Sequence, residues 1–424
     1  MFFLVDDESR PLRQTSKTRL RVRFFSSLLP PFGAMSRNTM YKNLIATLLA
    51  FALFSASIFS AQAEGPPAAP QAQTKKPEGS ASSAARSNQA PLKVGFVYVT
   101  PRLPSGWVHQ HELGRLNLDE QLKQQGYKVQ TQFVENVAEG ADAERVIRDM
   151  VKQGVGLIFT PSFGYMEPTL KVAAEFPNVK FESITGYKTA PNVAAANARY
   201  YEGRFLAGIA AGRLSKTGVA GYVASFPIPE VVQGINAFAL GMRYVNPKAQ
   251  VKLVWLDTWF DPAREREAAM TLMNQKADVL AFHTASDAVM VAAQERGKMA
   301  IAYHSDMRHV APQAQLLAIT HHWGRYYSDR AKAVIEGTWQ SGTVWGGVHE
   351  GMIKVGDFGP KVPKKVQAEI LRLQRAVGKG SLLPFTGPIL DNQDQVILAR
   401  GQNLSDEQIL NMKFLVQGVQ GSLP

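Results

Sequence analysis

Apolar and polar positions in residues 92–424 follow a pattern that predicts strands separated by amphipathic helices. The segment KVGFVYVT, residues 93–100, is rich in β-branched and aromatic residues, and the amphipathic stretch 108–125 ends at Gly126. Further strands are predicted at 128–135, 156–160, 180–184, 193–196, 218–226, 250–258, 279–284 and 299–304, and further helices at 141–153, 168–175, 202–214, 229–243, 261–275 and 286–296. Such near-continuous apolar strands are typical of parallel sheets covered on both faces.

The strands form two successive runs of four or five, which favours two α/β lobes. The expected bounds are about 92–216 plus about 321–345 for lobe 1, and about 217–320 plus about 346–424 for lobe 2. Residues 316–321 and the chain after Trp345 would then pass back between the lobes. One continuous doubly wound sheet is the alternative architecture.

The N-terminal region has a different pattern. A basic stretch precedes an apolar run from Leu44 to Phe59, and the small residues of Ala61-Gln62-Ala63 follow. This order is typical of a cleaved secretory signal peptide, and an uncleaved membrane anchor is the alternative. We therefore interpret residues 1–63 as a signal peptide.

Two flanking segments complete this interpretation. Residues 1–34 precede the signal pattern, so they are interpreted as a start-site artefact, with Met35 or Met40 as the true start. Residues 64–91 are rich in Pro, Ala, Ser and Gln, a composition that predicts a flexible linker. The folded, exported part is then expected at 92–424.

Composition narrows the function classes. The 424 residues include no cysteine, which excludes disulfides, thiolate metal sites, cysteine nucleophiles and a lipid-modified N-terminal cysteine. The formal net charge is +12, but no Lys or Arg run in the folded region has the density of a nucleic-acid-binding tail. We expect a periplasmic protein that is not lipid-anchored and does not bind nucleic acid.

Aromatic residues cluster where predicted strands end. Because ligands of open parallel sheets bind at the carboxyl ends of strands, these positions are candidates for a site. Trp107, Trp259 and Trp323 all follow predicted strands. Their planes suit a flat, weakly polar ligand, and simple packing at the sheet ends is the alternative. Asp261 precedes Pro262 and is interpreted first as a helix N-cap.

Four ordered motifs resemble one family. They are SFGYMEPTLKVAAEFPNVKFESITGY, ARYYEGRFLAGIAAG, WLDTWFDPARER and AYHSDM. They resemble the basic membrane protein family of ABC-transporter substrate-binding proteins, also called the purine nucleoside receptor type, over nearly all of 92–424. The resemblance implies a periplasmic binding protein of type I, with two Rossmann-like lobes joined by a three-segment hinge. Such lobes would close on a purine nucleoside or, in one subgroup, on free adenine.

The resemblance also implies site residues. Trp107 matches an aromatic of the first-strand loop, and Trp259, with Phe260 as its neighbour, matches the second stacking aromatic. Glu167 matches a residue that binds the base, and Asp306 matches one that contacts ribose hydroxyls. The full expected set is Trp107, Ser162, Phe163, Tyr165, Glu167, Trp259, Phe260, Asp306, His321 and Trp323.

One departure from the family bears on the ligand. The lysine that completes the ribose site has no match, because His321, His322 and Trp323 occupy that neighbourhood. The lost cation and the added bulk should weaken ribose binding, so the resemblance favours free adenine or a related purine, delivered to an ABC permease in the inner membrane. A purine nucleoside receptor and a sensing subunit of a signalling receptor are the alternatives.

Neither metal nor catalytic chemistry is expected. His109 and His111 point in different directions at a predicted helix start, and adjacent histidines rarely bind one ion. The sequence contains no nucleophile elbow, Walker loop or dinucleotide fingerprint. It therefore predicts a monomeric binding protein that is not an enzyme and has no cofactor.

Overall fold

Two separate β-sheets organise the computed structural model, which describes residues 90–424. The predicted signal peptide and nearly all of the predicted linker lie outside the described residues. Within residues 90–424, no helix combines the length and the apolar character that crossing a membrane requires.

The first sheet begins the fold. Its elements are β1 (Leu92–Val97), α1 (Trp107–Gln124), β2 (Val129–Val134), α2 (Ala141–Lys152), β3 (Leu157–Pro161), a 3₁₀ turn (Phe163–Tyr165), α3 (Met166–Glu175), β4 (Lys180–Ile184) and β5 (Val193–Ala198). These strands pair in parallel in the order β5-β4-β3-β1-β2. All five residues of β3 are buried, as expected for a central strand covered on both faces.

The second sheet follows along the chain. Its elements are α4 (Tyr200–Leu214), β6 (Val219–Ala224), α5 (Pro229–Val245), β7 (Gln250–Trp255), α6 (Pro262–Asn274), β8 (Val279–Phe282), α7 (Ala288–Glu295), β9 (Met299–His304) and β10 (Gln315–His321). The strands pair in parallel in the order β10-β9-β8-β6-β7. Asp261 caps α6, since its side chain accepts a hydrogen bond from the Arg264 amide, and Pro262 occupies the first turn.

The remaining chain returns to both sheets. Its elements are α8 (Gly324–Ile335), β11 (Thr343–Gly346), β12 (Ile353–Gly356), α9 (Lys364–Gly378), β13 (Ile389–Leu390), β14 (Val396–Leu398), α10 (Asp406–Leu410) and β15 (Val419–Gln420). Strand β11 joins the first sheet beside β5, whereas β12 and β15 form the two edges of the second sheet. The two returning segments predicted from the sequence are therefore strands of the sheets themselves.

The chain passes between the sheets at three places: at Arg199, after His321, and between Gly346 and Ile353. Helix α4 packs along α5, and the carbonyl oxygen of Phe238 lies only 2.1 Å from where a Cβ on Gly208 would be. Because α4 packs so closely on α5, we place the first crossing at Arg199, although the expected lobe boundary near 216 falls after this helix.

Candidate ligand-binding cleft

A cavity lies between the carboxyl ends of strands from both sheets. Its empty space, including the part open to solvent, is about 460 Å³. The lining residues are Val99, Trp107, Ser162, Phe163, Thr185, Ile228, Glu230, Trp259, His283, Thr284, Ala285 and His304. This wall is mainly apolar and aromatic, with one carboxyl group and two imidazoles as its ionisable groups.

Trp107 forms part of the wall on the side of the first sheet. It is the first residue of α1, and its indole Nε1 donates a hydrogen bond of 2.8 Å to the carbonyl oxygen of Pro161. Behind it, the rings of His111 and His321 have centroids 4.2 and 4.9 Å from that of the indole. The hydrogen bond and these ring contacts hold the indole in one orientation without a ligand.

Trp259 forms part of the opposite wall, beyond the end of β7. Its ring meets Phe226 edge to face at a centroid distance of 4.9 Å, and its carbonyl oxygen accepts a hydrogen bond from the Ala285 amide. The indole Nε1 is buried and has no hydrogen-bond partner among the described residues. Since a buried indole N–H usually has an acceptor, a ligand atom is a candidate for that acceptor.

Glu230 supplies the carboxyl group of the cavity from the first turn of α5. Its Oε2 accepts a hydrogen bond of 2.9 Å from the Asn197 side chain, and its Oε1 lies 3.7 Å from Nε2 of His283. Burial raises the pKa of this carboxyl to about 7, although the Asn197 hydrogen bond and the charge of Arg204 both lower it. The group can therefore change charge near neutral pH.

His283 and His304 are the two imidazoles of the wall, at the ends of β8 and β9. Burial lowers the pKa of each well below its usual value, so both rings are uncharged at neutral pH. Each has an Nδ1 that lacks a hydrogen-bond partner among the described residues. A neutral imidazole has one donor and one acceptor nitrogen, so these rings can bind either kind of polar atom.

A buried carboxylate supports the loop after β8. Glu265 Oε2 accepts hydrogen bonds from the hydroxyls of Thr284 and Ser286, at 2.7 and 2.6 Å. The Ser286 hydroxyl therefore donates to a carboxylate and not to a histidine. Among the described residues, no group of three His, Asp or Glu side chains is arranged to hold a metal ion.

The two lobes are in contact across this cleft. The Gly106 amide donates to Ser305 Oγ at 2.8 Å, and the Gln110 side chain donates to the His304 carbonyl oxygen at 2.7 Å. Gly106 has φ of +90°, and a Cβ on it would lie 2.7 Å from the carbonyl oxygen of Ala285. A glycine is therefore needed here for the lobes to approach this closely.

The structure brings four of the expected site residues to the cavity: Trp107, Ser162, Phe163 and Trp259. Ser162 Oγ donates to Glu139 Oε1, which also accepts from the Gly164 amide. This second carboxylate fixes the turn that presents Phe163 to the cleft. No sequence motif marks Glu139 as a site residue.

The other expected residues lie outside the cavity lining. Tyr165 is buried and donates to the Val137 carbonyl oxygen. Glu167 has a side chain that is 63% exposed and forms an ion pair with Lys188. Phe260 is next to Trp259 in the chain but does not line the cavity.

Asp306, His321 and Trp323 also lie outside the lining. The Asp306 carboxylate is bound by Arg308 and by the Gln315 side chain. The Trp323 indole donates to His321 Nδ1 at 2.7 Å, and both side chains are buried behind Trp107. These two residues therefore support the first wall instead of lining it.

Sequence reasoning missed Glu230 as a site residue, because no motif marks an acidic residue in the first turn of α5. His283 and His304 lie at the ends of predicted strands, and this position at the carboxyl edge of the sheet is the signal that could have selected them.

Comparison with known proteins identifies the family. The model of the Bmp family, described as PnrA-like ABC transporter substrate-binding proteins, matches residues 92–386. A purine-binding protein of Brucella abortus is 49% identical over 333 residues, which cover 78% of this chain and 94% of that protein. A protein of Haloferax volcanii, with a provisional name as an ABC transporter glucose-binding protein, is 33% identical over 334 residues, 78% of this chain and 81% of that protein.

A solved structure agrees on the fold. The ABC transporter solute-binding protein of Conexibacter woesei has a TM-score of 0.57 at 21% identity and covers 69% of this chain and 98% of its own. The fold is that of a type I periplasmic binding protein, as expected. The family consists of solute-binding proteins rather than enzymes. The chain belongs to the Bmp family of PnrA-like ABC transporter substrate-binding proteins.

Proposed function

We propose that this protein captures a free purine base, adenine above all, in the cleft between its lobes and delivers it to an ABC permease. The observation that carries the proposal is the combination of the Trp107 and Trp259 indoles with the Glu230 carboxyl group around one cavity. Aromatic walls with a single acidic group suit a flat heterocycle that has an exocyclic amine.

Stacking supplies the first part of the affinity. Trp107, Phe163 and Trp259 present three aromatic side chains to the cavity. Base–aromatic stacking contributes about 1–3 kcal/mol per contact, so two such contacts already account for much of a micromolar affinity. The orientation of Trp107 is held by Pro161, which reduces the ordering cost on binding.

Hydrogen bonding supplies the second part. The exocyclic amine of adenine is a donor, and the Glu230 carboxylate is an acceptor inside the cavity. The ring nitrogens of adenine are acceptors, and the Trp259 N–H and neutral imidazoles of His283 and His304 are available donors. A charge-assisted bond to Glu230 would be the strongest of these.

The composition of the cavity supports a base over a nucleoside. In the residues that the structure describes, no Lys or Arg lines the cavity. Asp306, the residue matched to a ribose contact, has its carboxylate bound by Arg308 and Gln315. Of the two groups that the resemblance assigns to a ribose site, the lysine is therefore absent from this wall and the Asp306 carboxylate is already paired.

Export and transport follow from the family and the proposed signal peptide. Substrate-binding proteins of ABC transporters work outside the cytoplasm, and the proposed signal peptide in 1–63 would take the chain there. We propose that the mature protein acts in the periplasm as a monomer that is not lipid-anchored. Ligand binding would favour the closed lobes, and the permease would select that closed form.

Native mass spectrometry of the exported protein tests the proposal, followed by tryptophan fluorescence of the ligand-stripped protein with added adenine, guanine, adenosine, guanosine, ribose and glucose. A co-purified mass of adenine and quenching by adenine at micromolar concentration are expected. Preference for a nucleoside would favour the nucleoside-receptor alternative. Preference for glucose would favour the sugar that the Haloferax name suggests.

A sensing role would use the same cleft. It predicts that the purine-loaded protein binds a receptor kinase instead of a permease. Pull-down of membrane proteins by loaded and ligand-free protein separates the two, because transport predicts that the loaded form captures an ABC permease.

A further inference from the structure

A buried arginine lies beneath the cleft, and no carboxylate of residues 90–424 forms an ion pair with it. Arg204 of α4 is fully buried, and its Nη2 donates a hydrogen bond of 2.6 Å to the carbonyl oxygen of Phe282. Its Nε and Nη1 have no hydrogen-bond partner among the described residues. Burying a cation costs free energy unless the charges and dipoles around it compensate. A functional role for Arg204 would explain why the cation is kept at this position.

Arg204 reaches the cavity wall through Tyr303. The guanidinium carbon lies 3.2 Å from the centroid of the Tyr303 ring. The centroid of the Tyr303 ring also lies 3.7 Å from that of the His304 ring and 5.0 Å from that of the His283 ring. The cation is therefore one side chain away from both imidazoles that line the cavity.

Titratable groups surround Arg204 on several sides. Tyr222 of β6, Glu230 of α5, His283 directly after β8, and Tyr303 and His304 of β9 all interact electrostatically with the guanidinium. Among these groups, Glu230 is the one carboxylic acid, and it is also in the cavity wall. The cation and this carboxylate thus act on each other across the floor of the cleft.

We propose that Arg204 is a positioning residue whose charge favours the ionised form of Glu230 and the uncharged forms of His283 and His304 while the cleft binds its ligand. This proposal rests on the proposed function, because Glu230, His283 and His304 are the side chains proposed to form hydrogen bonds with the purine.

The charge of Arg204 lowers the pKa of the carboxyl group and of the imidazoles alike. Burial raises the pKa of Glu230, and the charge of Arg204 partly reverses that rise. Burial lowers the pKa of His283, and the same charge lowers it further. Loss of the cation would raise both pKa values, so Glu230 would gain its proton and His283 would become charged at higher pH. Both changes mean that, as the pH falls, the protein loses its binding-competent protonation state at a higher pH than the wild type does.

The decisive variant is Arg204→Gln, which removes the charge and keeps a donor for the Phe282 carbonyl oxygen. Adenine affinity is measured by calorimetry from pH 5.5 to 8.5. In the variant, the pH at which affinity begins to fall should move upward by about one unit, which means about a tenfold weaker affinity below that pH. Arg204→Lys is the matched control, and it should keep the profile of the wild type. Combining Arg204→Gln with Glu230→Gln should remove the part of the shift that Glu230 causes.

A ligand-free readout separates this proposal from the proposed function. Histidine titrations are followed by NMR in the wild type, Arg204→Gln and Arg204→Lys, with His283→Gln to assign the signal. The His283 pKa should be higher in Arg204→Gln alone.

If the wild type binds no adenine but this shift is present, the proposed function fails and the role of Arg204 stands. If adenine binds but neither the titration nor the affinity profile moves, the role of Arg204 is overturned. Should Arg204→Gln not fold, Arg204→Met removes the charge in its place: a raised His283 pKa supports the proposal, and an unchanged one contradicts it.

Discussion

Asn197 donates a hydrogen bond of 2.9 Å to the carboxyl group of Glu230, and this bond joins the two lobes at the cleft. Asn197 belongs to β5 of the first sheet, whereas Glu230 begins α5 over the second sheet. The same carboxyl group lines the cavity. The proposed ligand contact and the contact between the lobes therefore share one ionisable side chain, and its protonation should affect both.

Glu230→Gln should weaken adenine binding and remove its pH dependence. A hydrogen bond to a charged group contributes about 1.5–3 kcal/mol, so the affinity at pH 8 should fall by roughly 10- to 100-fold. Because the pKa of Glu230 is about 7, wild-type affinity should decrease as the pH falls below 7, and that of the variant should not. Calorimetry at pH 6 and pH 8 checks both expectations. An equal pH dependence in the two proteins would remove Glu230 from the site.

The same substitution should stabilise the ligand-free protein. Folding raises the pKa of Glu230 from 4.5 to about 7, so this group contributes its stability only at low pH and loses it as the pH rises through this interval. Glu230→Gln should therefore raise the free energy of unfolding at pH 8 by up to about 3 kcal/mol. The difference should vanish near pH 4.5. Urea unfolding of both proteins at the two pH values tests this, and a destabilised variant at pH 8 would contradict it.

Trp107→Ala and Trp259→Ala should each weaken adenine binding by about 1–3 kcal/mol, because each removes one stacking wall. Trp255→Ala is the matched control, since this indole donates to the Ser422 carbonyl oxygen at the outer edge of the second sheet. Its adenine affinity should equal that of the wild type. Fluorescence or calorimetric titration provides the measurement. If the control loses as much affinity as the two cavity variants, the loss reports unfolding rather than stacking.

Gly106→Ala should weaken ligand binding through closure. A Cβ at this position meets the Ala285 carbonyl oxygen of the opposite lobe at 2.7 Å. Gly126→Ala is the control, because Gly126 has φ of +79° and no atom lies within 4 Å of its added Cβ. Both variants carry backbone strain of about 1 kcal/mol, but only Gly106→Ala should reduce adenine affinity. Equal affinities in the two variants would show that this contact does not limit closure.

The return of the chain to the first sheet depends on a buried ion pair. Glu182 of β4 is fully buried and accepts hydrogen bonds from Arg330, Tyr326 and Trp339. Arg330→Met leaves this carboxylate without its cation and should lower the free energy of unfolding by about 3–5 kcal/mol. Arg325→Met is the control, because its pair with Asp329 is exposed and contributes at most about 1 kcal/mol. Chemical denaturation of both variants at pH 7 gives the comparison, and equal losses would contradict it.

The fold was predictable because its signals are local. Apolar segments such as 156–160 can be recognised as buried strands without any tertiary information. Trp107 and Trp259, which follow predicted strands, could be selected as site residues because open parallel sheets bind ligands at the carboxyl ends of their strands.

The polar part of the site was not predictable in the same way. Glu167 and Asp306 match family positions by motif, but their side chains form ion pairs away from the cavity. Glu230 reaches the cavity only because α5 packs with its first turn at the cleft, and Arg204 lies under it only because α4 packs on α5. These positions depend on contacts between distant segments, which a sequence pattern does not encode locally.

The most direct test of the account is a calorimetric titration of the ligand-stripped protein with adenine and, separately, with adenosine at pH 8. Adenine is expected to bind with a dissociation constant of about 1 μM or lower, and adenosine at least about tenfold more weakly. Tighter binding of adenosine, or no heat of binding from either compound, would contradict it.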